Sequence, residues 1–124
     1  MMKNFKAKAI RTFIGAKNFE QSRAFYKALG FGEVVLSDKM VLFKVNEDLG
    51  FYLQDYWVKK WVHNSMVFLE VDDIEKCAEE LLAKGLHHQY KYVRFTEIKQ
   101  FDWGRELFMH DTSGVLWHFC EFKT

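Results

Sequence analysis

Phe19-Glu20-Gln21-Ser22-Arg23-Ala24-Phe25-Tyr26-Lys27-Ala28-Leu29-Gly30-Phe31 is the stretch that decides the fold. Asn18, just before it, is a good helix cap, and Gln21 stands three residues on, where a capping box reaches back. Phe19, Ala24, Phe25, Ala28 and Leu29 recur at helical spacing, and Gly30 supplies the stop. The chain then repeats the pattern. A shift of 55 positions, the interval from Phe19 to Ile74, puts Glu20 on Glu75, Ala28 on Ala83, Gly30 on Gly85 and Phe31 on Leu86. Around Ile74 the same signals return: Asp72 or Asp73 as cap, Glu75 in the first turn, a stripe of Ile74, Cys77, Ala78, Leu81 and Leu82, and Gly85 as stop. Two copies in so short a chain imply a pseudo-symmetric duplication rather than a repeat array.

Outward from each helix the hydrophobic period changes to that of strands. Ala9–Ile14 precedes the first helix and Met66–Val71 the second. Glu33–Ser37, Met40–Asn46 and Gly50–Tyr56 follow the first; Gln89–Lys99, Arg105–His110 and Val115–Phe122 follow the second. The intervening turns, such as Ser37-Asp38-Lys39 and Asp111-Thr112-Ser113-Gly114, are polar. The expected architecture is α+β: two tandem βαβββ units, about 7–56 and 64–122, in a single domain spanning 1–124. Trp57–Ser65 reads as the crossover between them.

Composition narrows the function. A chain of 124 residues with no Pro and two Cys buries roughly two-thirds of its unfolded surface, enough for a core without disulfide or metal staples. Eighteen basic against seventeen acidic residues give a net charge of +1, and the sequence shows no basic stripe of the kind nucleic-acid binders carry, so nucleic acid is not an expected partner. The apolar runs are of strand length, which makes a membrane span unexpected. The opening MMKNFKAKAIR is basic without an apolar segment or a small-residue cleavage site, so a cytoplasmic location is expected. Cys77 and Cys120 lack CxxC spacing and read as buried thiols in a reducing compartment. Aromatic residues are the anomaly: 13 Phe, 5 Tyr and 4 Trp, 18% of the chain. Most fill the core, but so small a domain is hard pressed to hide them all, which leaves some for a pocket or a subunit interface.

Three stretches together resemble the vicinal oxygen chelate superfamily, which includes glyoxalase I, extradiol dioxygenases, fosfomycin-resistance enzymes and bleomycin-resistance proteins. Ser22 to Phe31 matches the family's "S..FY...LGF" helix, Leu69-Glu70-Val71-Asp72-Asp73-Ile74 its entry to the second helix, and Trp103-Gly104-Arg105-Glu106-Leu107-Phe108 through Asp111–Gly114 its closing "WG…F…D..G" hairpin. The Pro that usually follows the Asp is replaced by Thr112. The pattern is closest to the bleomycin-resistance branch. The resemblance implies two curved sheets around a cleft, and a homodimer in which each cleft is often built from both subunits.

The enzymatic members hold a divalent metal with His and Glu at four strand positions. Counted from the motifs, those positions fall here on Arg11, Met66, His118 and either Tyr52 or Gln54. Guanidinium stays protonated and does not ligate, and a thioether is too soft for hard divalent ions. One His among four positions cannot hold zinc, so no metal cofactor is expected. A new site from other histidines is not expected either: His87 and His88 are adjacent and diverge in a strand, His63 has the opposite parity to Met66, and His110 and His118 lie at separate points of a hairpin.

Strand parity from those four positions gives the expected ligand-binding residues: Arg11, Phe13, Tyr52, Gln54, Met66, Phe68, Glu70, His118 and Cys120, with Leu116 beside them. Ile10, Thr12 and Ile14, Val67, Leu69 and Val71, and Trp117 and Phe119 should lie behind, against the helices. An apolar, aromatic wall with a few polar points describes a small-molecule pocket. Its rings suit planar or cationic ligands, and Arg11 suits a carboxylate or phosphate unless Glu70 neutralises it. His118 reads as a hydrogen-bonded structural imidazole, with a general base as the alternative for which nothing else in the sequence identifies a substrate. Cys120 and His118 sit about 6.5–7 Å apart along one strand, too far for an assured thiolate pair. The reading is a metal-free protein that binds an aromatic or amphipathic small molecule, as in drug sequestration and antibiotic resistance, and does no chemistry. Two alternatives stand beside it: a metal-dependent lyase, isomerase or dioxygenase with a rearranged site, and a partner-binding module whose cleft is filled by its own side chains.

Overall fold

Helix α1 (Phe19–Leu29) begins where Asn18 Oδ1 accepts the Gln21 amide at 3.0 Å, and it ends at Gly30, whose φ of 106° is left-handed and suits a residue without Cβ. The computed structural model describes residue 4 and residues 6–123, so part of the basic opening stretch lies outside the described residues. Strands β1 (Phe13–Gly15), β2 (Gly32–Ser37), β3 (Met40–Lys44) and β4 (Gly50–Gln54) form one sheet in the order β1-β4-β3-β2. A short helix, α2 (Lys59–His63), occupies the crossover, placing His63 on a helix rather than in a strand.

The second unit repeats this plan. Strand β5 (Met66–Glu70) leads to helix α3 (Ile74–Ala83), capped by Asp73, which accepts from the amides of Glu75 and Lys76. The one-turn helix α4 (Leu86–Gln89) follows, then β6 (Arg94–Phe95), β7 (Lys99–Phe101), β8 (Gly104–His110) and β9 (Leu116–Phe122). The second sheet runs β5-β9-β8-β6, with β7 also on β8. In each unit the first strand pairs in parallel with the last, Phe13 opposite Tyr52 and Phe68 opposite His118. The duplication therefore holds at the level of pairing as well as of sequence.

Two expectations change. The strand expected from Ala9 begins only at Phe13, because its partner β4 begins at Gly50 and leaves residues 6–10 with no strand to pair; Ile10, expected against the helices, is 99% exposed. The long strand expected over Gln89–Lys99 is instead a helical turn and two short strands. Leu86, Tyr90 and Val93 pack inward at helical spacing, with the Tyr90 amide donating to the Leu86 carbonyl. Farther on, Thr96–Ile98 oppose only Leu107–Phe108, a bulge in which Thr96 Oγ1 takes the Phe108 amide at 2.9 Å. His87 and His88 consequently sit together on α4, rings 3.9 Å apart, instead of diverging along a strand.

The rear faces of both sheets share one core. Phe43, Phe51 and Leu53 from the first sheet meet Leu107, Trp117 and Phe119 from the second, with Phe25 and Tyr26 of α1 among them; the Phe51 and Trp117 rings are 5.4 Å apart. Full burial of side chains this size stabilises by about 1.5–3 kcal/mol each. Tyr26 ties the units together through polar contacts too: its hydroxyl donates to Asp111 Oδ2 at 2.5 Å and accepts from Trp117 Nε1 at 3.0 Å. Asp111 also takes the Ser113 and Val115 amides, fixing the closing turn that lacks the usual Pro.

Candidate functional site

Alternation decides where the expected site residues go. The rear side chains of both sheets converge on one core, so the front side chains of the two sheets point away from it, and away from each other. The nine residues divide accordingly. Arg11, Phe13, Tyr52 and Gln54 belong to the first front face; Met66, Phe68, Glu70, His118 and Cys120 belong to the second. Among the described residues no hydrogen bond, ion pair or ring contact joins the two groups. The neutralisation of Arg11 by Glu70 does not occur within the chain.

On the first face Arg11 Nη1 donates to the Tyr52 hydroxyl at 3.3 Å, with the guanidinium 5.8 Å from the ring centre. Phe13 stacks on Tyr52 with centroids 5.0 Å apart and is 55% exposed. The parallel register makes Tyr52, rather than Gln54, the counterpart of His118 in the other unit, since Tyr52 lies opposite Phe13 as His118 lies opposite Phe68.

On the second face His118 is the centre. Phe68 stacks on its ring at 6.2 Å, and Phe108 meets it edge-on at 4.7 Å. Nδ1 lies 3.3 Å from Glu106 Oε2 and Nε2 lies 3.4 Å from Met66 Sδ. Glu106 also accepts from the Cys120 thiol at 3.2 Å. Cys120 is fully buried, and burial together with that bond pushes its thiol up to about 12. A thiol held neutral in this way is a poor nucleophile. The apolar surface continues through Phe122, 5.8 Å from Phe68, to Trp103, which stacks on Phe101 with planes 3° apart. Phe68 is 51% and Met66 65% exposed.

Glu106, Phe108 and Trp103 are site residues that parity from the four counted positions missed. The signal was available in the closing hairpin. A turn over Asp111–Gly114 pairs His110 with Leu116, and antiparallel register then sets Phe108 opposite His118 and Glu106 opposite Cys120.

The four positions counted from the motifs for a metal carry a guanidinium, a phenol, a thioether and one imidazole. Both nitrogens of that imidazole face neighbours within the second face. Among the described residues no three of His, Cys, Asp and Glu are grouped to hold a metal ion. This donor set does not fit a divalent metal.

No family model matches the chain, and no curated protein matches it in sequence. Solved structures do match. The bleomycin-resistance determinant encoded on transposon Tn5 superposes with a TM-score of 0.77 at 19% identity, covering 93% of this chain and 98% of that one. The bleomycin-binding protein of bleomycin-producing Streptomyces verticillus, complexed with copper(II)-bleomycin, gives 0.78 at 17% identity over 96% and 99%. A glyoxylase/bleomycin resistance protein/dioxygenase domain from Frankia sp. EAN1pec gives 0.73 at 12% identity over 94% and 98%. At such identities the likeness is one of fold: the chain has the α+β fold of these bleomycin-resistance and bleomycin-binding structures, with sheets of four and five strands and no closed barrel.

Proposed function

We propose that the protein is a homodimer that binds an aromatic or amphipathic small molecule without transforming it. Each cleft is formed by the Arg11–Phe13–Tyr52 face of one protomer and the Met66–Phe68–His118 face of its partner. The observation that carries this reading is the pair of exposed aromatic front faces, each with polar groups at its centre, which a single chain leaves turned apart. Buried pockets for small molecules combine apolar walls with a few placed polar groups, and Arg11, His118 and Glu106 would fill that part. Structural neighbours that bind bleomycin support ligand binding at the level of the fold. The near-neutral charge favours a less cationic ligand than a strongly acidic cleft would. The free Cys77 and Cys120 favour a reducing, cytoplasmic setting, and no described helix is long and apolar enough to cross a membrane.

Native mass spectrometry of protein purified without chelator tests the whole reading. A metal-free dimer carrying a co-purified organic mass is the expected result. With an amphipathic naphthalene sulfonate dye as probe, Arg11→Ala and Phe68→Ala should each weaken binding several-fold while the melting temperature hardly moves, since both side chains are exposed. A monomer, a metal bound at one per chain, or dye affinity unchanged in both variants would sink it.

A further inference from the structure

A separate concavity of about 530 Å³ lies where the crossover meets the closing turn. None of the nine front-face residues lines it. Its cations come from distant parts of the chain: Lys17 ahead of α1, Lys59 on α2, Lys91 between α4 and β6, and Arg94 at the start of β6. Among the described residues no Asp or Glu lines the hollow. Asp111 is next to it in sequence, but its carboxylate is buried and turned inward to Tyr26 and the turn amides.

The other arginines of the second unit and of α1 are matched. Arg23 is paired with Glu20 and Glu33, and Arg105 with Glu75 and Glu121. The four cations of the hollow form no ion pair among the described residues. In a chain of net charge +1, four cations without an ion pair thus line one concavity. Three of the four heads are already positioned. Arg94 Nε donates to His110 Nδ1 at 3.4 Å, with no partner for its two terminal nitrogens among the described residues, Lys17 Nζ sits 5.0 Å over the Trp57 ring and Lys91 Nζ 5.6 Å over the Tyr92 ring. Burial, with Arg94 beside it, holds the His110 imidazole below its usual value, so it accepts this bond rather than adding a fifth charge. The floor is hydroxylic: Ser113 Oγ accepts from the Lys17 amide at 3.0 Å and approaches Ser22 Oγ at 3.3 Å.

We infer that this hollow is a second binding site, for a small organic anion carrying two or more phosphate or carboxylate charges. A guanidinium with both terminal nitrogens free takes an oxyanion in a bidentate fork. Three ammonium groups around the same space supply the remaining charge, and Trp57 and Tyr92 wall the sides. The volume suits a ligand of metabolite size, not a stretch of polymer.

Titration with inorganic pyrophosphate and, separately, with citrate tests this, followed by amide chemical shifts and calorimetry. Saturable binding of either anion, with shifts centred on Lys17, Ser113 and Gly114 and an affinity that falls as salt is added, is the expected result; the anion preferred tells phosphate from carboxylate chemistry. Lys91→Glu combined with Arg94→Glu should weaken binding by about tenfold or more, and Lys59→Glu, on a separate element, should weaken it independently. Phe68→Ala should leave anion binding untouched, which separates this site from the front faces. Absence of saturable shifts with both anions, or wild-type affinity in both charge-reversed variants, would overturn the inference.

Discussion

Tyr26 holds a buried polar network at the junction of the two units. Its hydroxyl is wholly buried, bridges Asp111 and Trp117, and is kept protonated because burial, with the Asp111 carboxylate beside it, raises the phenol well above its ordinary range. Tyr26→Phe keeps the ring but leaves a buried carboxylate short of a donor and an indole N–H without an acceptor. Each such group costs about 1–3 kcal/mol, so a loss of about 2 kcal/mol or more is expected in urea denaturation, against none for the exposed Tyr92→Phe. A second residue makes a pH-dependent contribution. The Arg23 guanidinium, bonded to Glu33 at 2.8 and 3.1 Å, holds that carboxyl below its usual value, with Lys27 helping and burial opposing. A depressed carboxyl stabilises the fold above the unfolded value of about 4.3, and the contribution disappears as pH falls through the folded value. Glu33→Gln should therefore cost about 1 kcal/mol at neutral pH, with the gap from wild type closing in acid. A gap that stays constant with pH would assign the effect to packing.

The elements differ in how plainly the sequence announces them. Both main helices are legible because caps, apolar spacing and glycine stops agree, and the structure adds only that Asp73, not Asp72, is the cap. β9 is legible because buried Trp117 and Phe119 alternate with half-buried Leu116 and His118, and β8 because the polar turn at Asp111–Gly114 pairs it with β9. The segment after Gly85 is not. Tyr90-Lys91-Tyr92-Val93-Arg94-Phe95 alternates like a strand, while the residues that pack inward, Leu86, Tyr90 and Val93, are spaced like a helix, and tertiary packing prevails. Parity needs only one anchored residue: Ile14, Trp117 and Phe119, expected at the rear, are buried and Phe13, Met66 and Phe68, expected at the front, are exposed, while Cys120, also expected at the front, is fully buried. That the fronts diverge was not legible, since alternation fixes the face of a sheet but not the placement of one sheet against another. The basic hollow was hidden for a related reason: its cations come from separated segments and form no run. Three glycines have backbone where a Cβ would go, Gly15, Gly50 and Gly104, and Gly104 is the tightest. A Cβ on Gly104 would overlap the Glu121 carbonyl oxygen and crowd the Phe122 Cα, both backbone atoms of the paired strand. Gly104→Ala should separate the start of β8 from β9 and cost about 1–3 kcal/mol, visible as early amide exchange at that end of the hairpin. Gly85, with nothing within 4 Å of its added Cβ, should lose only what its left-handed φ of 64° imposes.

At the scale of the whole molecule, both front faces keep large apolar side chains in the open, Phe13 on the first and Met66, Phe68 and Phe122 on the second. Exposed apolar surface of this kind is what a subunit interface covers, and sedimentation equilibrium should return a dimer at micromolar concentration.

The parting of the two fronts has a genetic consequence. In a two-fold dimer each chain would lend one half to each of two clefts, so halves from the same chain never meet. An Arg11→Ala protein and a His118→Ala protein would then each be defective in every cleft they make alone. Mixed and allowed to exchange subunits, they should recover: the hybrid dimer has one cleft with both lesions and one with neither, returning about a quarter of all clefts to wild type at equal dosage. Two broken copies would thus complement each other in a single cell, and Arg11→Ala and His118→Ala placed together in one chain would poison one half of every cleft that chain shares with a wild-type partner.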